Sequence, residues 1–425
     1  MKFKIKSQLL LTNIKRIIKI SPSNPINEIY KNLKVEVDEE KITFSSLNEK
    51  VFMNFFILSE KDKLEIYQTG KFLINLKILY DIINKLKDEW ILFEIKINAL
   101  IINNFNRDNN FIFKLNTLDI NNFPEIDFSK NIKPILINKK IIEEINSQIN
   151  FVINTNNSNN ILRGINFNFN KNALVVTGTD RISMAQKIFQ IKNDFFNQDI
   201  TIPIFLLNDI EKVTNDINSD YLFYLNDDQT LVIEINNFLF KGRLIDGQYP
   251  KIQNVIQQYL NSNTQEKIII NDLKTFLNTI ELAVVLAKKE SIPLVQLLFD
   301  KTNKKIEIIC ISNNNSFGEV HEQFNNVTFL NQEKKVQPIV VTTNENSNFG
   351  ELQETISNMQ ILNQTQEVKN LKIVFNYYLL THALKTFIKC KQVTLNIISN
   401  YKNHTIITSD EDSGLAQLVL PTIKN

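Results

Sequence analysis

The sequence predicts an α+β protein of three similar domains, each with two helices on one side of curved antiparallel sheets. Three observations carry that expectation. An apolar stretch ends in an X-Pro step at Phe123-Pro124, Tyr249-Pro250 and Leu420-Pro421. Proline fixes its own φ and drives the residue before it to an extended conformation, so each step punctuates the chain. Between these stops the same succession of helix, strands, helix and strands recurs. The spacing recurs too: about 64, 65 and 105 residues separate the starts of the two helices in the three passes. A repeat this long is a whole domain, which places the domains at 1–130, 131–256 and 257–425.

In the first pass, Met1–Lys6 alternates apolar and charged residues as a strand does. Ser7 is placed to cap a helix running to about Ile20, with Leu10, Ile14, Ile17 and Ile18 on one face and Lys15, Arg16 and Lys19 off it. Leu33, Val35 and Val37, then Ile42 and Phe44, give period-2 strands. A second helix is expected over Phe72–Asp88, followed by strands through Ile91–Ile102 and Phe111–Leu115. The second pass has helices at Lys139–Phe151 and Phe205–Asn215, with strands at Gly164–Phe169 and Ala173–Thr177. In the third, Asp272 caps a helix Leu273–Lys289, strands follow at Leu294–Phe299 and Lys305–Ile311, and Asn376 caps a helix Tyr377–Cys390. The extra length of this pass falls in a polar, Asn/Gln/Glu-rich insertion at about 325–370, with a short strand at Pro338–Thr342.

Composition narrows the function classes. Only two cysteines, Cys310 and Cys390, are present, which suits a reducing cytoplasm. The longest apolar run near the N-terminus, Leu9–Leu11, is far short of a signal peptide, and no membrane span is expected. Eight glycines are scattered singly, so no phosphate-cradling loop is available, and His321, His382 and His404 have no partners at metal spacing. Glu39-Glu40 and Glu143-Glu144 read as solvated surface, and Asp410-Glu411-Asp412 as a polar turn in preference to a cation grip. No catalytic residue, cofactor or metal is expected.

Charge says more. Lysine heavily outnumbers arginine, in keeping with an AT-rich coding bias, so each arginine is the more informative. The chain carries a net +2, yet the expected helices are clearly basic and the remainder is acidic. Basic helices gathered on one surface face a polyanion through backbone phosphates, without reading bases.

The motifs resemble those of the bacterial DNA polymerase III beta subunit, the sliding clamp family. The likeness lies in Met-Lys-Phe-Lys-Ile with Leu9-Leu10, and in Asn32-Leu33. It continues in Leu162-Arg163-Gly164, Leu174–Ile182, Leu244–Pro250 and the closing Leu418–Ile423. It covers the whole chain except about 325–370. Two departures stand out. Asp180 is shifted within the turn Thr177-Gly178-Thr179-Asp180-Arg181-Ile182, and the loop at Asn24 lacks an arginine.

The resemblance implies a non-catalytic processivity subunit. Its partners would be double-stranded DNA, encircled without sequence preference, and a second copy in a head-to-tail homodimeric ring. The replicative polymerase alpha subunit, the clamp loader and repair proteins would dock through short linear motifs. It also implies a peptide cleft at Leu162, Thr177, Gly178, Arg181, Ile182, Pro250, Val255, Leu418 and Leu420. Lys15, Arg16, Lys19, Lys77, Lys85, Lys274, Lys385 and Lys389 are expected to face DNA, and Phe113, Leu282 and Ala283 to form the dimer interface. Two rival readings are a DNA-processing enzyme with an unrecognised site and a non-DNA scaffold of the same fold.

Overall fold

Segments whose apolar residues alternate fold as strands, and those with apolar residues every three to four positions fold as helices packed against them. A computed structural model describes residues 1–425 except 23–24, 87–89, 97–98, 105–111, 131–132, 192–197, 263–264, 289, 312–317, 331–370, 400–401 and 423–425. Two compact units result: residues 1–176 with 189–249, and residues 177–188 with 250–425.

The first unit begins with β1 (Lys2–Lys6), α1 (Ser7–Ile18), β2 (Asn32–Val37), β3 (Lys41–Leu47), β4 (Val51–Leu58), β5 (Leu64–Gln68) and β6 (Gly70–Asn75). Then come α2 (Leu76–Lys85), β7 (Trp90–Lys96), β8 (Ala99–Asn104) and β9 (Ile112–Asn116). The succession restarts with β10 (Ile135–Ile137), α3 (Lys139–Gln148), β11 (Gly164–Phe169), β12 (Ala173–Thr179) and β13 (Ser183–Gln190). It continues with β14 (Gln198–Pro203), α4 (Ile204–Thr214), β15 (Tyr221–Leu225), β16 (Thr230–Ile235) and β17 (Phe238–Arg243).

Two antiparallel sheets dominate this unit: β5-β1-β7-β8-β9, and β10-β15-β16-β17-β4-β3-β2-β6. The second is continuous because β4 pairs with β17, setting Phe55 opposite Phe238. Aromatic rings run across that join. Phe44 stacks on Phe55 with centroids 4.4 Å apart, and Phe55 lies 5.6 Å from Phe238. All three are almost wholly buried, so each contributes both apolar area and a favourable ring contact. This pairing joins strands of the first two repeats within one compact unit.

The second unit adds α5 (Ile252–Leu260), β18 (Gln265–Ile270), α6 (Leu273–Ala283), β19 (Leu294–Asp300), β20 (Lys305–Ile311), β21 (Glu319–Phe324) and β22 (Val327–Leu330). After these come β23 (Leu371–Asn376), α7 (Tyr377–Lys385), β24 (Val393–Ile398), β25 (His404–Thr408) and β26 (Leu415–Val419). One sheet is β21-β20-β19-β23, and the strands β13-β26-β25-β24-β18-β22 run side by side in another. Helices α6 and α7 pack together, as α1 and α2 do in the first unit.

Several expectations are corrected. Ser7 is the first helical residue and not the cap; Lys6 holds the cap position and makes no side-chain bond there. Helix α2 starts at Leu76, because the Asn75 side chain accepts the Ile78 N–H (3.1 Å) while Phe72–Ile74 pair with β2. Asp272 and Asn376 cap as expected, at 3.1 Å to the Thr275 N–H and 2.9 Å to the Tyr378 N–H. Both helices are shorter than expected, continuing as turns such as Phe387 N–H to Leu384 C=O. Helix α5, Ile252–Leu260, was not anticipated. Residues 327–330, assigned to the insertion, pair as β22 with β18. Pro338–Thr342 lies outside the described residues.

Candidate functional site

The β12–β13 turn is held by its own side chains. The Asp180 carboxylate accepts the N–H groups of Ile182 (2.9 Å) and Ser183 (2.7 Å) and the Ser183 hydroxyl (3.0 Å). The Thr179 hydroxyl donates to the Ser183 carbonyl at 2.7 Å and accepts the Arg181 N–H at 3.0 Å. Asp180 thus occupies the position from which a carboxylate mimics a backbone turn. With the loop drawn this tight, Arg181 adopts φ +82°, the left-handed region that non-glycine residues rarely occupy. Arg181 and Ile182 stand exposed at the tip, Ile182 with 54% of its surface open.

Strand β26 runs antiparallel to β13, with Ser183 opposite Val419 and Met184 opposite Leu418. The pairing extends one step further, since the Leu420 N–H donates to the Ile182 carbonyl at 3.3 Å. Strand alternation therefore puts Ile182, Met184, Leu418 and Leu420 on one face. Ile406 on β25, opposite Leu418, continues that row. Helix α5 packs against β25, where the Tyr259 hydroxyl lies 3.2 Å from His404 Nδ1. Burial and the nearby Lys402 hold His404 below the ordinary imidazole range. The arrangement is an apolar strip with a polar corner and a guanidinium at its tip, suited to an extended peptide with large apolar anchors.

Among the expected cleft residues, the second unit brings Ile182, Leu418 and Leu420 into one row. Arg181 lies at its end, with Pro250 exposed and Val255 half-buried at the start of α5. Leu418, at 1% exposure, is floor and not surface, and Thr177 and Gly178 are buried in β12. Leu162 belongs to the first unit, on the turn Asn160–Arg163, and is 1% exposed. In that same unit Gly247 takes φ +124°, which demands glycine, and the Tyr249 hydroxyl reaches the Gly164 carbonyl at 3.4 Å. Sequence reasoning missed Met184, Ile406, Tyr259 and His404. The signal for α5 was present as Ile252, Val255, Ile256 and Tyr259 at i, i+3, i+4 and i+7.

The expected DNA-facing cations divide into two groups. Lys15, Lys77, Lys85, Lys274 and Lys389 are exposed and form no ion pair among the described residues. The other three are engaged. Arg16 bonds Asp216 at 2.7 Å, Lys19 donates to the Lys212 carbonyl at 2.9 Å, and Lys385 pairs with Glu281 at 2.9 Å. The basic character is also uneven. On α3 and α4 Lys139, Lys140 and Lys212 are matched by Glu143, Glu144 and Asp209. Of the expected interface residues, Leu282 is 59% exposed beside exposed Val285, and Phe113 is half-buried on β9, a sheet edge. Ala283 is wholly buried and supports α6 from within. No His/Cys/Asp/Glu cluster fit for a metal occurs among the described residues, and no described helix is long and apolar enough to cross a membrane.

Two family models match the chain: the N-terminal domain of the DNA polymerase III beta subunit over residues 1–127, and its central domain over residues 136–251. The chain belongs to the DNA polymerase III beta-subunit family. Its relatives include the beta sliding clamp of Halalkalibacterium halodurans, 26% identical over 295 residues, which cover 68% of this chain and 75% of that protein. The beta sliding clamp of Staphylococcus epidermidis is 23% identical over 431 residues, covering 99% of both chains. The crystal structure of the DNA polymerase sliding clamp from Bacillus subtilis superposes over 100% of both chains with a TM-score of 0.81 at 21% identity. That likeness extends the clamp fold among the described residues beyond the two domains that the family models match.

Proposed function

We propose that this chain is a sliding clamp: a head-to-tail homodimer of six clamp domains, three per chain, closed around duplex DNA. Its work is topological, and it is a non-catalytic processivity subunit. A ring around a duplex cannot dissociate sideways, yet it slides, because contacts to phosphates are equivalent from one step to the next. Heterologous contacts close into a ring when the rotation between copies permits. Phe113 on the β9 edge and Leu282 on α6 are the residues proposed for that contact. The apolar row at Ile182, Leu418 and Leu420, with Arg181, Pro250, Val255, Thr177 and Gly178, is proposed to receive short Gln-containing motifs. Those motifs belong to the replicative polymerase alpha subunit, the clamp loader and repair proteins. The proposed setting is the cytoplasm, on the nucleoid.

The observation that carries the reading is the coincidence of a clamp fold, matched over 100% of both chains, with exposed lysines on paired helices that form no ion pair among the described residues: Lys15 on α1, and Lys77 and Lys85 on α2. These are point charges of the sign and mobility that phosphate contacts require. Loading on nicked circular DNA, followed by linearisation, tests it. The protein should stay on the circle and leave the linear form. Equal dissociation from both would sink the topological reading, and cleavage or joining of the DNA would favour an enzyme.

A further inference from the structure

A cavity of about 380 Å³ lies in the first unit, bounded by β14, the β15–β16 turn and the segment after β17. Strand β14 pairs with β11 on one side; on the other, the Ile245 N–H donates to the Thr201 carbonyl at 2.9 Å. Residues two apart on a strand turn their backbone groups to the same side, so the Asp199 carbonyl also opens away from β11. Three exposed carboxylates line the cavity: Asp199 on β14, Asp227 in the turn and Asp246 after β17. None of its lining residues is Lys, Arg or His. Two side-chain oxygens there, Gln198 Oε1 and Asn226 Oδ1, are buried with no hydrogen-bond partner among the described residues. The Asn226 amide is oriented by its nitrogen, which donates to the Ser129 carbonyl at 3.3 Å. Buried acceptors left unbonded are costly, and call for a donor that the surrounding chain does not supply. The remaining wall is largely aliphatic, with Ile200, Leu225, Leu244 and Ile245 half-buried.

We propose that this cavity binds a linear aliphatic polyamine, a molecule whose ammonium groups are separated by methylene chains. The site stands apart from the sliding-clamp reading and does not depend on it. Ammonium groups meet the carboxylates and donate hydrogen bonds to the amide oxygens and to the open Asp199 carbonyl. The methylenes lie on the aliphatic wall and bury apolar area there. The Asp199 carboxylate is held in place by the Asn166 amide, which donates to it. A single metal ion fits poorly, because the described residues include no His/Cys/Asp/Glu cluster able to hold one. Arg243 lies 3.7 Å from Asp246, but both are exposed, and such a pair yields readily to a competing cation. The volume falls within the range of small-ligand pockets.

Calorimetric titration of the full chain with spermidine, at fixed ionic strength, tests this. A single saturable site per chain is expected, and magnesium chloride at matched ionic strength should not displace the amine. Asp227→Asn combined with Asp246→Asn should weaken binding about tenfold, as the loss of two exposed ion pairs would. Both residues are exposed, so thermal unfolding of that variant should match wild type. Glu39→Gln combined with Glu40→Gln removes two exposed carboxylates elsewhere in the same unit and should bind as wild type does. Wild-type affinity in the Asp227 and Asp246 variant would overturn the site. Equal weakening in the Glu39 and Glu40 variant, or displacement by magnesium, would overturn it in favour of diffuse charge attraction. A blocked Lys-Ala-Lys peptide that bound more tightly than spermidine would overturn the polyamine and assign the cavity to a basic protein segment.

Discussion

Arg16 and Asp216 bond at 2.7 Å, tying the end of α1 to the segment after α4 across 200 positions of sequence. The same guanidinium sits 5.8 Å from the Phe238 ring, which belongs to the aromatic run joining β4 to β17. The arginine expected to face phosphate is here bonded to a carboxylate. Arg16→Ala should lower the stability of the first unit by about 1 kcal/mol, the upper end for a partly exposed pair, while leaving the salt dependence of DNA binding unchanged. Calorimetry and duplex titration report the two separately.

The same pair has a pH signature. The hydrogen bond from Arg16, reinforced by its charge, holds the Asp216 carboxyl below the ordinary carboxylate range. A depressed folded value means that the contribution is complete above the unfolded value and is lost as pH falls through the folded one. Asp216→Asn should therefore cost stability at neutral pH and flatten the acid limb of the stability curve. A variant whose acid limb matched wild type would show that the bond contributes nothing.

The exposed lysines should behave differently. Removing Lys15, Lys77 and Lys85 together should reduce the salt slope of DNA binding by about 0.9 for each phosphate no longer neutralised, with no change in sequence preference. Unfolding temperature should hold, since none has an ion-pair partner among the described residues. A slope equal to that of wild type would remove α1 and α2 from the DNA-facing surface.

The sequence carried the helix-and-strand succession because alternation and 3.6-residue periodicity are local. The caps Asp272 and Asn376 were legible for the same reason: a short acceptor one residue before an apolar face satisfies orphan N–H groups. The pairing of β4 with β17 was not legible, because Val51–Leu58 and Phe238–Arg243 recognise each other only through register. Nor could spacing reveal which cations are already engaged: the Asp216 that meets Arg16 lies two hundred residues away. For the residues proposed to meet a peptide, alternation placed Leu418 and Leu420 on one strand face, but it did not show that Leu418 is 1% exposed while Leu420 is half-buried, a difference set by tertiary packing.

For the dimer contact, Leu282 and Ala283 should separate cleanly although adjacent. Leu282 is largely exposed, so Leu282→Asp should leave the fold intact and give monomers in sedimentation at concentrations where wild type is dimeric. Ala283 is wholly buried, so Ala283→Asp buries an unpaired carboxylate and should destabilise the unit by about 3 kcal/mol or more. A fully dimeric Leu282→Asp protein would move the interface elsewhere.

The cleft allows the sharpest separation, because neighbours on one strand differ in burial. Leu420 is half-buried, and its backbone, not its side chain, bonds the Ile182 carbonyl at 3.3 Å. Leu420→Asp and Ile182→Asp should therefore fold normally and lose binding of a Gln-Leu-x-Leu-Phe peptide, for which micromolar affinity, about −8 kcal/mol, is expected in wild type. Leu418, one turn of the alternation away on the same face, is 1% exposed and packs beside Met184 and Ile406. Leu418→Asp should lose peptide binding only because the second unit unfolds, which circular dichroism detects. Truncation after Leu420 removes Thr422, whose N–H bonds the Val374 carbonyl at 2.8 Å, and should weaken the peptide without unfolding the sheet. Equal peptide affinity in wild type, Leu420→Asp and Ile182→Asp would place the binding surface away from β13 and β26, however well the row of apolar residues suits it.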